Sequence, residues 1–346
     1  MSARLQRGFD IIVTMKRKTI LSTVLAAGLA LTGCSRVSQE ADKAAKEAEN
    51  AVTEPAESIS FTDDAGRTIT LDKQPDRVAA LIGSFADIWC SAGGSDTLVA
   101  AAGDAWTSFD LDLPDSVQDL GAVKSPNTEV LLATEPDFVL ASLKTEADKE
   151  LEPVLENQGI PVAYFEVSDF DDYLRMLDIC TQLTGDDEAY QTCGLDQQAQ
   201  IDADIRLAET KPARTVLYLR ASSKSVKAKG SKGTVLGEML ASLHTVNVAD
   251  SQESLLENLS MEGIMAADPE EIFIVYQGKS GDDTAARAQM ESWLSDPAWQ
   301  SLKAVQEDRV HVMDPSLYNL KPNARWAQAY DELTELLYGE PAAKKD

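Results

Sequence analysis

Residues 186–209 read DDEAYQTCGLDQQAQIDADIRLAE, and this stretch decides how the chain is divided. It is polar, rich in helix-compatible residues and free of proline, and it stops just before Lys211-Pro212, where a helix must end. On its N-terminal side, short apolar runs alternate with amphipathic ones. The pattern predicts strands at 78–82, 97–101, 138–141 and 162–165, with helices at 85–93, 128–134, 146–158 and 170–183 between and after them. On its C-terminal side the rhythm resumes, with strands at 215–219, 272–276 and 310–313 and helices at 234–243, 261–267, 283–294 and 323–338. Short apolar strands separated by helices imply parallel sheets covered on both faces. The reading is therefore an α/β fold of two βα lobes, 59–185 and 211–340, bridged by a single long helix over 186–210. A ligand cleft is expected between the carboxyl ends of the two sheets. Ahead of the first lobe strand, FTDDAGRTITL (61–71) alternates about Asp64-Ala65-Gly66, a hairpin signal.

The first 58 residues read differently. Lys16, Arg17 and Lys18 precede the apolar run ILSTVLAAGLAL (20–31), which is too short and too rich in small residues for a membrane span. Leu31-Thr32-Gly33-Cys34 follows and resembles a bacterial lipobox. Residues 1–33 are thus expected to be a lipoprotein signal peptide, with Cys34 the site of lipidation. Residues 34–58, rich in Ala, Glu and Lys, cannot bury a core and read as a flexible tether. The whole chain carries a formal charge of -27, and loss of residues 1–33, with five basic residues and Asp10, would make it four charges more acidic. Such a balance argues against nucleic acid as a partner, because phosphates would repel it, and it leaves the membrane to be reached through the lipid anchor only.

Beyond Cys34 there are three cysteines, Cys90, Cys180 and Cys193, with no CxxC pair, which excludes a zinc cluster or a disulfide-dense scaffold. Cys180 and Cys193 flank a helix break at Thr184-Gly185. They could meet as a disulfide across two antiparallel helices, the alternative being buried free thiols. Enzyme signatures fail in turn. His244 and His311 are the two histidines, too few for a Ser-His-Asp triad or a multi-histidine metal site, and each reads as structural. Gly278-Lys279-Ser280 resembles the tail of a phosphate loop, but Phe273 occupies the place of the earlier glycine. No GxSxG elbow and no GxGxxG after a strand occurs. The chain reads as a protein that is not an enzyme.

A series of local motifs in fixed order carries a resemblance. Pro75-x-Arg77-Val78 opens the first lobe strand; Leu120-Gly121 and Pro126-Asn127-Thr128-Glu129 follow, and Glu135-Pro136-Asp137-Phe138-Val139 leads into a later strand. The second half has Gly233-Thr234 with Gly237-Glu238-Met239-Leu240, then Val246-Asn247-Val248-Ala249, and Leu259-Ser260-Met261-Glu262 before Asp268-Pro269-Glu270. Pro297-Ala298-Trp299, Leu302-Lys303-Ala304-Val305 and Arg309-Val310 complete the set. In this order the motifs resemble the substrate-binding proteins of ABC importers for iron-siderophore, haem and cobalamin. The resemblance implies a monomeric receptor on the outer face of the cell membrane, with a rigid bridging helix and modest closure. It also implies a permease dimer with its ATPase as partner, met by one glutamate from each lobe, Glu129 and Glu262. Without the resemblance both would read as ordinary first-turn helix glutamates.

Ligand contacts are expected from loops after strand ends. In the first lobe these place Ser84-Phe85, Trp106, Lys124 and Ser142 to Lys144 at the rim; in the second they place Arg220 to Lys232, Leu256, Tyr276 and Tyr318 to Lys321 there. Trp106 suits an aromatic wall or a packed position equally. The segment RASSKSVKAKGSKGT (220–234) holds one arginine and four lysines with no acid, preceding a helix that Thr234 could cap. Arg220, Lys224, Lys227 and Lys229, with Lys124 opposite, would form a positive patch in a negative field. The alternative is a solubilising loop whose lysines face water. A positive patch suits an anionic Fe(III) complex as transported ligand, either a ferric siderophore or haem through its propionates. Intact siderophores need no protein ligand to iron, so no metal site is expected unless haem is bound, in which case Tyr318 is the candidate axial ligand. Cobalamin would call for less charge and more aromatic wall.

Overall fold

The computed structural model describes residues 58–251, 255–256, 259–277 and 284–339. Cys34, the signal and tether segments and Gly278-Lys279-Ser280 lie outside them. The described elements belong to one compact unit, Ala56–Asp346. It opens with the hairpin β1 (Ile59–Thr62) and β2 (Thr68–Leu71). The first lobe is a parallel sheet of β3 (Val78–Ala80), β4 (Leu98–Ala101), β5 (Gln118–Asp119), β6 (Phe138–Ser142) and β7 (Val162–Phe165), in the order β5-β4-β3-β6-β7. The second holds β8 (Arg214–Ala221), β10 (Thr245–Asn247), β11 (Glu271–Tyr276) and β12 (Val310–Met313) in the parallel order β10-β8-β11-β12.

Strand alternation sorts the side chains into layers. In β3 and the residue after it, Val78 and Ala80 join one core while Ala79 and Leu81 join another. In β8 and β11, Val216, Tyr218, Phe273 and Val275 enter that first core, and Leu217, Leu219, Ile272 and Ile274 enter a third. The outer face of each sheet thus packs on its own lobe, whereas the inner faces share one core, as the two-residue period of a strand requires. Into the shared core the helix α4 (Phe170–Thr184) sends Phe170 and Tyr173 against Trp326, the first residue of the C-terminal helix α8 (Trp326–Tyr338). Edge-to-face and tilted ring contacts at 6.1 and 6.5 Å weld the lobes at this side.

The bridge is helical over 187–209, with one departure from the expected regular helix. Asp187–Tyr190 runs into a π-helical turn, Gln191–Leu195, before the helix α5, Asp196–Glu209. The turn presents the Cys193 carbonyl to the Tyr173 hydroxyl at 2.9 Å and sets Gly194 on Leu174 and Leu177. Of the two readings of Cys180 and Cys193, this arrangement has the free thiols and not the disulfide. Both cysteines are free thiols: Cys180 is sealed in the shared core, and the bridge meets α4 through the Cys193 backbone instead of its sulfur. Burial pushes the Cys180 thiol well above its ordinary range.

The largest correction concerns 220–234, expected as a loop. Residues Val226–Lys229 form β9, which folds back antiparallel on β8 with Arg220 opposite Lys227 and Tyr218 opposite Lys229. Ser222 makes the turn, its N–H and hydroxyl both donating to the Ser225 carbonyl. Val226 and Ala228 are buried in the outer core of the second lobe, so Lys227 and Lys229 fall on the face of Arg220. The expected helix at 146–158 is also two, Glu146–Glu150 and Glu152–Asn157.

Candidate ligand-binding cleft

Between the carboxyl edges of the two sheets lies a cavity of about 480 Å³. First-lobe segments after β3, β4, β6 and β7 supply Ser84, Asp104, Ser142, Lys144 and Glu166; the second lobe supplies Arg220, Thr234 and Asn319-Leu320-Lys321. The first-lobe wall depends on a close approach of two helices, α1 (Gly83–Trp89) and α2 (Asp104–Thr107). The Gly83 N–H donates to Asp104 Oδ1 at 2.8 Å, and a Cβ on Gly83 would stand 2.5 Å from the Ala105 nitrogen. Only glycine fits there. Burial raises the Asp104 carboxyl above its ordinary range, against the pull of the Gly83 N–H and the Lys321 charge.

Three cations reach the cavity. Lys144 is paired with Glu166 at 2.8 Å. Lys321 has its ammonium 5.8 Å from the centre of the Phe85 ring, and burial lowers its proton affinity while Asp104 opposes the change. Arg220 donates from Nε and Nη2 to the Tyr218 hydroxyl at 3.2 and 3.0 Å, and among the described residues no carboxylate pairs with it. Beside it begins the helix α6 (Val235–Ser242), capped by Thr234 Oγ1, which accepts the Gly237 N–H at 3.2 Å. Gly233, with φ of +72°, turns the chain into this helix and donates its N–H to Glu238 Oε1. An unpaired guanidinium beside a helix N-terminus is a favourable seat for an anion.

Of the residues the sequence places at the rim, Ser84, Ser142, Lys144, Arg220 and Asn319 to Lys321 line the cavity. Lys227 and Lys229 share the Arg220 face; burial, then the charges of Arg220 and Lys227, lower the proton affinity of Lys229. Lys124 and Lys224 are exposed and outside the lining. Trp106 stands on α2, half-buried against the shared core, and the cavity wall is made by Phe109 instead. Tyr276 is buried in the second-lobe core under the Arg287 guanidinium, and Leu256 is exposed away from the lining. Tyr318 is the clearest correction: it is 1% exposed, and its hydroxyl donates to the Ala329 carbonyl and meets Glu332. Among the described lining residues there is no histidine, tyrosine, methionine or cysteine to bind haem iron. His244 contacts the Ala208 carbonyl and His311 the buried Glu271. Phe109 and the Glu166-Val167-Ser168 segment are missing from the sequence reading, although the latter follows a strand whose end is plain in the sequence.

Glu129 and Glu262 occupy matching places. Each is exposed at the second position of a helix, α3 (Thr128–Ala133) and α7 (Met261–Ala267), capped by the side chains of Asn127 and Ser260. Each helix gives way to a left-handed residue, Glu135 at φ 46° or Asp268 at φ 38°, and then a proline. The acid after that proline takes backbone N–H groups at the start of its lobe's first strand: Asp137 from Asp76 and Arg77, Glu270 from Thr215.

Two lobes sharing a core, with a cavity between their sheet edges, define a two-lobe solute-binding protein. The periplasmic binding protein family model matches residues 78–317. The chain belongs to this family, as a substrate-binding protein of an ABC importer and not an enzyme. Among the curated relatives are two from Bacillus subtilis. One is the Fe(3+)-citrate-binding protein YfmC, 26% identical over 305 residues, 85% of this chain and 88% of the relative. The other, YvrC, an uncharacterized ABC transporter substrate-binding lipoprotein, is 22% identical over 329 residues, 93% of this chain and 98% of the relative. Staphylococcus aureus SirA, solved with staphyloferrin B, has the same fold at a TM-score of 0.65 and 20% identity, covering 82% of this chain and 100% of SirA.

Proposed function

We propose that this protein is a lipid-anchored receptor that captures an anionic Fe(III) complex, a ferric siderophore of the carboxylate or catecholate class, and delivers it to its permease. The observation that carries the reading is Arg220, unpaired in the interlobe cavity beside the α6 N-terminus, with Lys321 on the same wall. Ligand anions would displace water from these donors, and charge-assisted bonds of this kind are the strong ones. Lys227 and Lys229, across the strand from Arg220 and its neighbour Tyr218, extend the positive field outward from the cleft and favour capture from solution. Support also comes from the Fe(3+)-citrate-binding relative and from the fold shared with SirA, solved in complex with staphyloferrin B. Anchoring through Cys34 rests on the lipobox resemblance and on the lipoprotein relative. Delivery would run through Glu129 and Glu262, two exposed carboxylates in equivalent positions of the two lobes, suited to a two-fold permease.

The test is tryptophan fluorescence with Fe(III)-citrate, ferric catecholate siderophore, haem and cyanocobalamin as probes. Saturable quenching by a ferric complex, with the charge-transfer absorption of that complex retained on the protein, is the expected result. Binding confined to cyanocobalamin, or no binding to any ferric complex, would overturn the reading.

A further inference from the structure

Asn323 sits beside the cleft and is not part of its lining. It is fully buried and holds φ of 51°, a left-handed conformation that asparagine adopts more readily than most residues. Its side-chain amide donates to the Ser84 carbonyl at 3.1 Å and to Asp87 Oδ2 at 2.7 Å, while the Ser84 hydroxyl reaches its Oδ1 at 3.4 Å. All three contacts are to α1, so one side chain of the second lobe is bound by its full set of polar groups to a helix of the first. The residues around it divide between two spaces. Lys321 faces the ligand cavity, whereas Pro322, Ala324 and Arg325 face a second cavity of about 410 Å³. Asn323 faces neither.

We propose that Asn323 is a positioning residue for the binding site: its clasp on Ser84 and Asp87 holds the 319–325 segment against α1, and so fixes Lys321 on the cleft wall and resists separation of the lobes there. With a cavity on either side of the segment, a buried side chain that satisfies two donors and one acceptor fixes its position against α1. The Asp87 carboxylate makes the clasp selective for an amide. Around it stand Asn323 and Arg325 from this segment, Cys90 beyond the end of α1, and Tyr173 from α4. Burial raises the proton affinity of Asp87, and the Asn323 N–H and the Arg325 charge oppose that change. A carboxylate in place of the Asn323 amide would face Asp87 with no donor between them, and the two could close only by sharing a proton.

Hydrogen exchange on the ligand-free full chain tests this, and no result depends on which ligand is bound. Asn323→Gly keeps the left-handed backbone and removes the clasp. It is expected to speed exchange at least about tenfold in 83–88 and 319–325, relative to wild type at the same pH, while β6 and β11 stay protected. Asn323→Asp is expected to match it at pH 8 and to recover wild-type protection at pH 5. Wild-type exchange in both segments of Asn323→Gly, or a rise spread evenly over both sheets, would overturn the proposal. Should either variant fail to fold, Asp87→Ala removes the acceptor from the other side and must loosen the same two segments; unchanged protection there would equally overturn it. If Fe(III)-citrate binds the wild type, Asn323→Gly should release it at least about fivefold faster. Absence of Fe(III)-citrate binding by the wild type would count against the ligand assignment and leave the exchange result decisive for Asn323.

Discussion

At the scale of single residues, Arg220 and Tyr318 show what decides a binding role. Arg220 follows a buried run on β8, and among the described residues its guanidinium meets a tyrosine hydroxyl and no carboxylate, so its charge is available to a ligand. Arg220→Ala is expected to weaken binding of a ferric complex about tenfold to a hundredfold, the range of a charge-assisted hydrogen bond, with the melting temperature nearly unchanged. Fluorescence titration of the folded variant checks both halves. Tyr318 reverses the pattern. Tyr318→Phe should leave ligand affinity as it is and cost about 1 kcal/mol of stability, because its hydroxyl serves the Ala329 carbonyl inside the protein. Arg220 is legible in the sequence as the first cation after an apolar strand. Tyr318 is not, because Asp314 and Pro315 start a one-turn helix that points it inward, and where that turn sits against α8 is a tertiary fact.

At the scale of elements, the β8–β9 hairpin and the segment after β6 carry the next expectations. The alternation Val226-Lys227-Ala228-Lys229 is a strand signal that a reading of composition alone passes over, since four lysines in fifteen residues look like solvated loop. Pairing with β8 turns those lysines to one face, and their effect should be on encounter. Replacing Lys227 and Lys229 by Gln is expected to slow association with an anionic ferric complex several-fold at low salt, to lose that effect at high salt, and to leave dissociation unchanged; stopped-flow quenching measures all three. Behind β6, Asp148 is fully buried and accepts the Ser142 N–H at 2.8 Å. Burial raises its carboxyl from 3.8 to about 7, with the Ser142 N–H opposing and the Asp104 charge adding. The protonated form is favoured in the folded protein, so the stability it supplies is complete below pH 4 and is lost as pH rises through about 7. Relative to wild type, Asp148→Asn should therefore gain stability between pH 4 and pH 8, by up to about 4 kcal/mol, as read from urea midpoints at the two pH values. An equal difference at both ends would show that Asp148 is not titrating.

At the scale of the whole molecule, the shared core and the two matching glutamate-bearing helices act together. The two βα series and the bridge between them are legible in the sequence because strand and helix periods differ and because Lys211-Pro212 stops the bridge. The π turn and the welding of α4 to α8 are not, since both depend on which helix faces meet. A core common to both lobes limits how far they can part, so the spacing between Glu129 and Glu262 should change little when ligand binds. A permease would then meet two carboxylates at a nearly constant separation, each on a capped helix followed by a left-handed residue and a proline. Each exposed carboxylate is worth only about 0–1 kcal/mol as a single ion pair, so its loss alone is tolerable, whereas a reversed charge against a cationic pocket is repulsive. Glu129→Lys and Glu262→Lys should each reduce uptake of a ferric complex in cells, by similar factors because the two sites are built alike. The double variant should abolish uptake, while affinity of the purified protein for the complex stays within about twofold of wild type, since neither glutamate lines the cavity. Uptake unchanged in the double variant would remove both residues from delivery, and loss of affinity in either single variant would place the glutamate in the ligand site instead.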